Sequence, residues 1–314
     1  MRRLAAGLAI ASALTTATGA RAALFNPFDT EQSPDLHAFA SCNFVINEVK
    51  PNHAACVHGD VVENPVTLVS VSGDSTGSAD VATGRLSARS TAHAYRFGVE
   101  NLKANALTDV RFYDTIRILG GYTGPIEVRM TIAGDVFPSL SVSPVDGGAL
   151  AVLYAFNDQA DPLGRVILSI DQYTTGEPNI GGTAIEGLPG TITTNADPLG
   201  NFPSSRVTAT LTMQFFVTPA APEFTFGASL FTQAVLGNFI GISPDVQTND
   251  VDFSDVDGDG ARISLVVPPG VAWTSTSGTG ANDASCSASC SPATAGTWPS
   301  SSASGFTCPT STST

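Results

Sequence analysis

The residues best spaced for chemistry are Asp255-Val256-Asp257-Gly258-Asp259-Gly260. Three carboxylates on alternate residues, then a glycine for a sharp turn, form the first half of a D-x-D-x-D-G calcium loop. Asp252 stands close enough in sequence to add a further oxygen. An EF-hand would need a bidentate glutamate at its twelfth position. That position is Val266 here, Arg262 falls inside the loop, and a strand pattern begins at Ile263. The motif therefore predicts one of two things: a calcium loop outside the EF-hand, with Asp255, Asp257 and Asp259 as ligands, or an acidic hairpin turn solvated by water.

Sulfur chemistry comes next. Cys42 and Cys56 are expected to form a disulfide, closing a short loop worth about 3 kcal/mol. His53 and His58 flank Cys56, and with Cys42 they would complete a four-ligand zinc set. That spacing matches no familiar finger, and oxidation competes for both sulfurs. Cys286, Cys290 and Cys308 make an odd number in the C-terminal region, so one must stay free or pair with another chain.

Gly73-Asp74-Ser75-Thr76-Gly77 matches the G-x-S-x-G nucleophile elbow. Only His93 follows Ser75, 18 residues on, and no α/β pattern surrounds either. The stretch reads as a turn between strands, and no catalytic residue is assigned. Paired carboxylates for glycoside hydrolysis have no legible separation. Tyr113, Tyr122, Tyr154 and Tyr173 could stack on a sugar or simply pack in a core, and Trp273 and Trp298 are the only tryptophans.

The elements that must carry these residues alternate with period two. Ile126, Val128, Met130 and Ile132 face one way and Glu127, Arg129 and Thr131 the other. Val207 to Val217 repeats the pattern, with Thr208, Thr210, Thr212 and Gln214 outward, and Ile263, Leu265 and Val267 repeat it again. Further strands are expected over Val66–Val71, Ala94–Val99, Arg111–Leu119, Leu150–Phe156, Val166–Ile170 and Phe224–Leu230. Turn pairs such as Gly120-Gly121 and Asp161-Pro162 separate them. One apolar and one polar face per strand implies two stacked sheets. The expected fold is all-β, a two-sheet β-sandwich of jelly-roll type with a disordered C-terminal tail.

Composition agrees. Only 13% of the 314 residues are charged, and Lys50 and Lys103 are the only lysines. Long solvated helices with Glu–Lys pairs are therefore not expected. The formal charge of -14 argues against nucleic-acid binding, which needs a basic footprint.

Residues 1–22 read as a signal peptide, with Arg2 and Arg3, a short apolar run and an Ala20-Arg21-Ala22 cleavage site. No later run is long enough for a transmembrane anchor. Residues 23–62 are expected as a Cys-containing N-terminal segment, 63–276 as the sandwich and 277–314 as a Ser/Thr-rich tail.

Three stretches together carry a family resemblance: Phe112-Tyr113-Asp114-Thr115-Ile116-Arg117-Ile118 with Gly120-Gly121-Tyr122-Thr123-Gly124; Phe224-Thr225-Phe226-Gly227-Ala228 with Val251-Asp252-Phe253-Ser254; and Leu265-Val266-Val267-Pro268-Pro269-Gly270-Val271. The chain resembles secreted bacterial PEP-CTERM-type surface proteins over roughly residues 90–280. The resemblance implies an exported all-β body linked to envelope sorting and exopolysaccharide, and it carries over no catalytic residues. The family's C-terminal Pro-Glu-Pro motif, apolar helix and arginine cluster have no match here, so anchoring is not carried over. The function expected is a secreted, non-enzymatic surface or extracellular-matrix protein associated with extracellular polysaccharide. A calcium-dependent, lectin-like carbohydrate-binding module is the alternative, and a polysaccharide hydrolase the third reading.

Overall fold

A computed structural model describes residues 38–43, 48–50, 53–64, 69–95, 104–137, 145–156, 162–173, 179–198, 205–236, 246–254, 260–277 and 296–297. The strands are β1 (Ala38–Cys42), β2 (Glu48–Lys50), β3 (His53–Asn64), β4 (Val69–Asp80), β5 (Arg85–Tyr95), β6 (Ala104–Ile118), β7 (Gly124–Phe137), β8 (Val145–Phe156) and β9 (Pro162–Tyr173). They continue as β10 (Asn179–Glu186), β11 (Gly190–Pro198), β12 (Ser205–Val217), β13 (Glu223–Leu236), β14 (Val246–Phe253), β15 (Gly260–Val266), β16 (Trp273–Ser275) and β17 (Gly296–Thr297).

The strands form two antiparallel sheets packed face to face. Sheet A runs β1–β6–β13–β8–β9–β10, with β16 beside β6. Sheet B runs β11–β12–β7–β14–β5–β4–β3–β2, with β15 also between β7 and β5. In sheet A, β8, β9 and β10 lie side by side in chain order, and β13 returns beside β8 after β11 and β12 have joined sheet B. Among the described residues no helix is long and apolar enough to cross a membrane.

Period-two alternation does the sorting. Ile126, Val128, Met130 and Ile132 of β7 and Val207, Leu211, Met213 and Phe215 of β12 are buried between the sheets. Phe112 and Phe226 of sheet A are fully buried and meet edge to face, with centroids 6.3 Å apart. Phe215 of sheet B stacks on Phe224 of sheet A at 4.3 Å, so aromatic contact crosses the layer boundary.

Near β3, β4 and β5 the core changes character. The inward side of β4 carries Gly73, Ser75 and Gly77, and β6 lies so close that a Cβ on Gly73 would stand 2.4 Å from the Asn105 carbonyl oxygen. A Cβ on Gly77 would meet Thr108 Cγ2 at 2.5 Å. Between the layers the Ser90 hydroxyl lies 3.1 Å from Thr108 Oγ1 and 2.9 Å from Thr232 Oγ1. Thr108 donates to the Arg89 carbonyl at 2.6 Å, so buried hydroxyls satisfy one another. This explains why alternation did not reveal residues 69–93: their inward positions are small or hydroxylated. The expected Val66–Val71 and Ala94–Val99 strands are met only where β4 begins and β5 ends, and the rest of each lies outside the described residues.

Residues 38–42 and 53–62, read from sequence as part of a Cys-containing N-terminal segment, lie in strands of the two sheets. β1 pairs with β6 in sheet A and β3 with β4 in sheet B. The Cys42–Cys56 disulfide, with Cα atoms 5.5 Å apart, therefore bolts one sheet to the other.

At the C-terminal exit, β16 pairs with β6 over residues 116–118. Asp114 is fully buried and accepts hydrogen bonds from the Thr115 and Ser277 amides and the Thr276 and Ser277 hydroxyls at 2.8–3.1 Å. Within the region read as a disordered tail, Gly296–Thr297 pairs with β15, and 278–295 and 298–314 lie outside the described residues.

Candidate functional site

The fold leaves two outer faces, and the one on sheet B is polar across β11, β12, β7, β15 and β5 apart from the exposed Phe216 of β12, with Val57 and Val61 of β3 also exposed. Outward residues fall in cross-strand rows because each register is antiparallel and unshifted there. One row is Thr193–Thr210–Thr131–Arg262 and the next Thr191–Thr212–Arg129–Ser264. Strands about 4.8 Å apart put such a row some 14 Å across. The Thr191 and Thr212 hydroxyls lie 2.7 Å apart. Thr131 donates to the Arg262 carbonyl at 3.2 Å.

Guanidinium–carboxylate pairs continue the face toward β5. Arg206 meets Asp135 at 3.3 Å, and Arg129 meets Glu127 at 2.8 Å. Arg89 donates Nε and an Nη to the two oxygens of Asp250, at 3.2 and 2.8 Å. Thr91 adds a hydroxyl to the same carboxylate at 2.7 Å. The hydrogen bond to Asp250 holds Arg89 above its ordinary pKa, with Asp252 and Asp74 adding to the effect and burial opposing it. Arg85 and Arg262 stand opposite each other in the β5–β15 register. Five of the chain's 14 basic residues (Arg85, Arg89, Arg129, Arg206 and Arg262) thus gather on one face of an acidic protein.

The acidic segment is anchored in this face. β14 and β15 both run antiparallel to β7, with Asp252 opposite Asp135 and Gly260 opposite Ala133. Only Gly134 of β7 separates the two, so a single strand position is interrupted by the intervening chain. The two ends meet: a Cβ on Gly260 would lie 3.1 Å from the Phe253 carbonyl oxygen and 2.8 Å from that of Leu86, at a φ of +98°. That conformation is one glycine adopts freely. Asp255, Asp257 and Asp259 lie outside the described residues.

Asp252 is already engaged. Its Oδ1 accepts from the Ser254 amide at 2.8 Å and from the Ser254 hydroxyl, and its Oδ2 faces Arg89 Nε at 3.3 Å. These contacts place Asp252 at the neck of the segment. Among the described residues no three His, Cys, Asp or Glu side chains are grouped to hold a metal.

The zinc set does not form, because Cys42 and Cys56 spend both sulfurs on each other. Ser75 lies mid-strand, buried, with its hydroxyl accepting the Leu107 amide at 3.0 Å. Its G-x-S-x-G neighbours are the close-approach glycines of β4, so the motif is neither an elbow nor the turn its composition suggests. His93 faces outward, with Nδ1 3.1 Å from the Thr248 hydroxyl and no approach to Ser75. Cys286, Cys290, Cys308, Trp298 and residues 1–22 lie outside the described residues.

Tyr113 and Tyr154 sit outward on sheet A, flanking Gly227 across β13. Burial raises the Tyr154 phenol above its ordinary pKa, partly opposed by a hydrogen bond with Ser229. Tyr154 stacks on Phe156 at 6.0 Å, and Arg111, paired to Asp109, lies 5.7 Å from the Phe39 ring centroid.

Sequence reasoning saw the threonine periodicity of β12 but not the clustering of arginines. No motif marks that cluster, since its members come from β5, β7, β12 and β15 and meet only through sheet register. No family model matches the chain, and no curated protein matches it.

Proposed function

We propose that this chain is a secreted, non-enzymatic protein of the cell surface or extracellular matrix, of PEP-CTERM type, that associates with exopolysaccharide. The observation that carries this reading is the outer face of sheet B. Rows of threonine hydroxyls and guanidinium–carboxylate pairs extend across β11, β12, β7, β15 and β5. Such a face offers many shallow donors and acceptors, which suits a long polyhydroxylated polymer better than a small substrate. The signal-peptide pattern of residues 1–22 and the Ser/Thr-rich end support export.

The test is co-sedimentation of the mature chain with the producer's own extracellular polysaccharide. Thr193→Val with Thr210→Val removes two hydroxyls at nearly constant shape and is expected to weaken binding roughly tenfold. Undiminished binding would move the contact off this face. Absence of binding by the unaltered chain would overturn the polysaccharide reading.

The calcium-dependent, lectin-like reading has its own support: the acidic segment's two ends meet at this same face. Binding lost in chelator, and lost again in Asp257→Ala with Asp259→Ala, would favour it. Binding indifferent to chelator would leave the matrix reading without a metal.

A further inference from the structure

At one margin of the sandwich, sheet A ends in β10 and sheet B in β11. The last strand of a sheet presents unpaired backbone groups, which charges, bulges or prolines ordinarily guard. β10 is guarded: its register with β9 shifts between Asn179 and Gly182, and its Glu186 pairs with Arg165 at 2.6 Å. β11 is not. It follows β12 without a shift from Gly190 to Pro198, and its only proline is that last residue. Residues 187–196 carry no charge, in a chain of formal charge -14. Thr191, Thr193 and Thr194 are exposed, and Ile185, beside the start of β11, is 47% exposed.

The ladder fixes which groups face that edge. The Gln214 amide donates to the Pro189 carbonyl at 2.8 Å, which makes 189–214 a hydrogen-bonded pair. Such pairs alternate along antiparallel strands. In the β11–β12 register the bonded pairs are therefore 191–212, 193–210 and 195–208. The Thr191 amide does face β12, 3.1 Å from Thr212 Oγ1. Gly190, Ile192, Thr194 and Ala196 hold the other phase. Their amides and carbonyls point away from β12, to a side where no described strand pairs with β11.

We propose that this edge takes a second copy of the chain, β11 against antiparallel β11, about a two-fold axis at Thr193. The phase is self-complementary. Centred there, Ile192 of each copy meets Thr194 of the other and Gly190 meets Ala196, so every backbone group that points off the edge is used. Charge selects the occupant. Two acidic chains approach closely only where neither carries a carboxylate, and a foreign strand would find no charge here to read. Asp197, the first charge on the strand, falls opposite Pro189 of the other copy and not opposite a second carboxylate. On the outward side Thr191 meets Asn195 and Thr193 meets its own counterpart. The Thr193–Thr210–Thr131–Arg262 row then runs on into its symmetry mate, and sheet B becomes continuous across both copies. A partner at this margin also shields Ile192, which packs at the rim of the core only partly buried.

The test is sedimentation velocity of the mature chain over a wide range of concentration, where a monomer–dimer equilibrium is expected. Thr194→Pro removes an amide that β12 does not use, at an edge position where proline is tolerated. It should raise the dimer dissociation constant by about tenfold or more, with the melting temperature of the parent. Thr194→Lys places a charge at the same edge and should do the same, and it serves if the proline variant does not fold. Thr193→Cys sets two sulfurs at the axis, in a pair whose Cα atoms lie about 4.5 Å apart, within disulfide range. Oxidation should give a dimer whose peptides, mapped by mass spectrometry, join position 193 to itself. None of these readouts depends on polysaccharide binding. A monomer at every concentration, a dimer indifferent to both Thr194 variants, or an oxidised Thr193→Cys protein without the 193 link would overturn the proposal.

Discussion

Replacing Gly73 by alanine tests whether G-D-S-T-G is a contact between sheets. The new Cβ would stand 2.4 Å from the Asn105 carbonyl oxygen and 3.0 Å from its carbonyl carbon. Those are backbone atoms of β6, held by pairing to β13 over the whole of that strand. Relief therefore requires the layers to part by about 1 Å, at an overpacking cost of typically 1–3 kcal/mol. Glycine-to-alanine at an unstrained strand position would otherwise stabilise by about 0.4–1 kcal/mol through the unfolded chain. The net expectation is a loss of about 1.3 kcal/mol, or a fall in Tm of about 3–5 °C for a domain of this size.

Two companions make the result interpretable. Gly77→Ala meets the methyls Thr108 Cγ2 and Val110 Cγ1 at 2.5 and 2.7 Å, which can rotate or shift, so about 1 kcal/mol is expected. Gly59→Ala meets only the Asp74 carboxylate oxygen at 2.9 Å, the end of a mobile side chain, and should lie within about 0.5 kcal/mol of the parent. Thermal melts by circular dichroism and urea titration read all three. A Gly73→Ala protein as stable as the parent, or an inverted order, would refute the close approach of β4 and β6.

Reducing the Cys42–Cys56 disulfide, or replacing both residues by alanine, should cost about 3 kcal/mol, seen as a lower melting temperature with reductant present. Asp114→Ala removes an acceptor shared by two amide and two hydroxyl donors, of which the Thr115 amide keeps Thr276 Oγ1 at 3.3 Å and the Ser277 hydroxyl keeps Ser275 Oγ at 2.9 Å. It should cost about 1–2 kcal/mol in urea unfolding while hastening limited proteolysis near residue 277. Ser75→Ala should cost only about 1 kcal/mol, because the Leu107 amide keeps Asn43 Oδ1 at 2.8 Å as a second acceptor. The hydrogen bond from Arg165, with its charge, holds the Glu186 carboxyl below its ordinary value against slight desolvation. A depressed folded-state pKa stabilises above the unfolded value and is lost as pH falls through the folded one. The β9–β10 edge should therefore loosen below the ordinary carboxylate range. Carbon-detected NMR titration should show Glu186 returning to its usual value in Arg165→Gln, and partly so in high salt.

Much of the architecture was legible because large apolar residues on alternate positions have one solution, a strand with a buried side. β6, β7, β12, β13 and β15 follow that logic, and the two-sheet sandwich follows from them. β4 and β5 were hidden for a physical reason. Where two layers come within touching distance of their backbones, the inward residues are Gly73, Ser75, Gly77, Ala88 and Ser90, and small residues carry no alternation signal. The same composition in a chain read alone resembles a turn or a serine motif. The disulfide was legible from short-range spacing and export chemistry, but that it joins the sheets was not, since that depends on where β1 and β3 pair.

The candidate face divides in the same way. The sequence by itself determined that Thr208, Thr210 and Thr212 share one side of a strand, because side chains alternate whatever the fold. It also showed that a strand follows the acidic segment from Ile263, but not that β14 precedes it. Only the tertiary structure decided that Arg89 reaches Asp250 across 161 residues, and that Arg85 and Arg262 stand opposite each other. It alone decided that Asp252 meets Ser254 and Arg89. Those relations are set by inter-strand register, which forms through backbone pairing and leaves no mark on the local pattern of either strand.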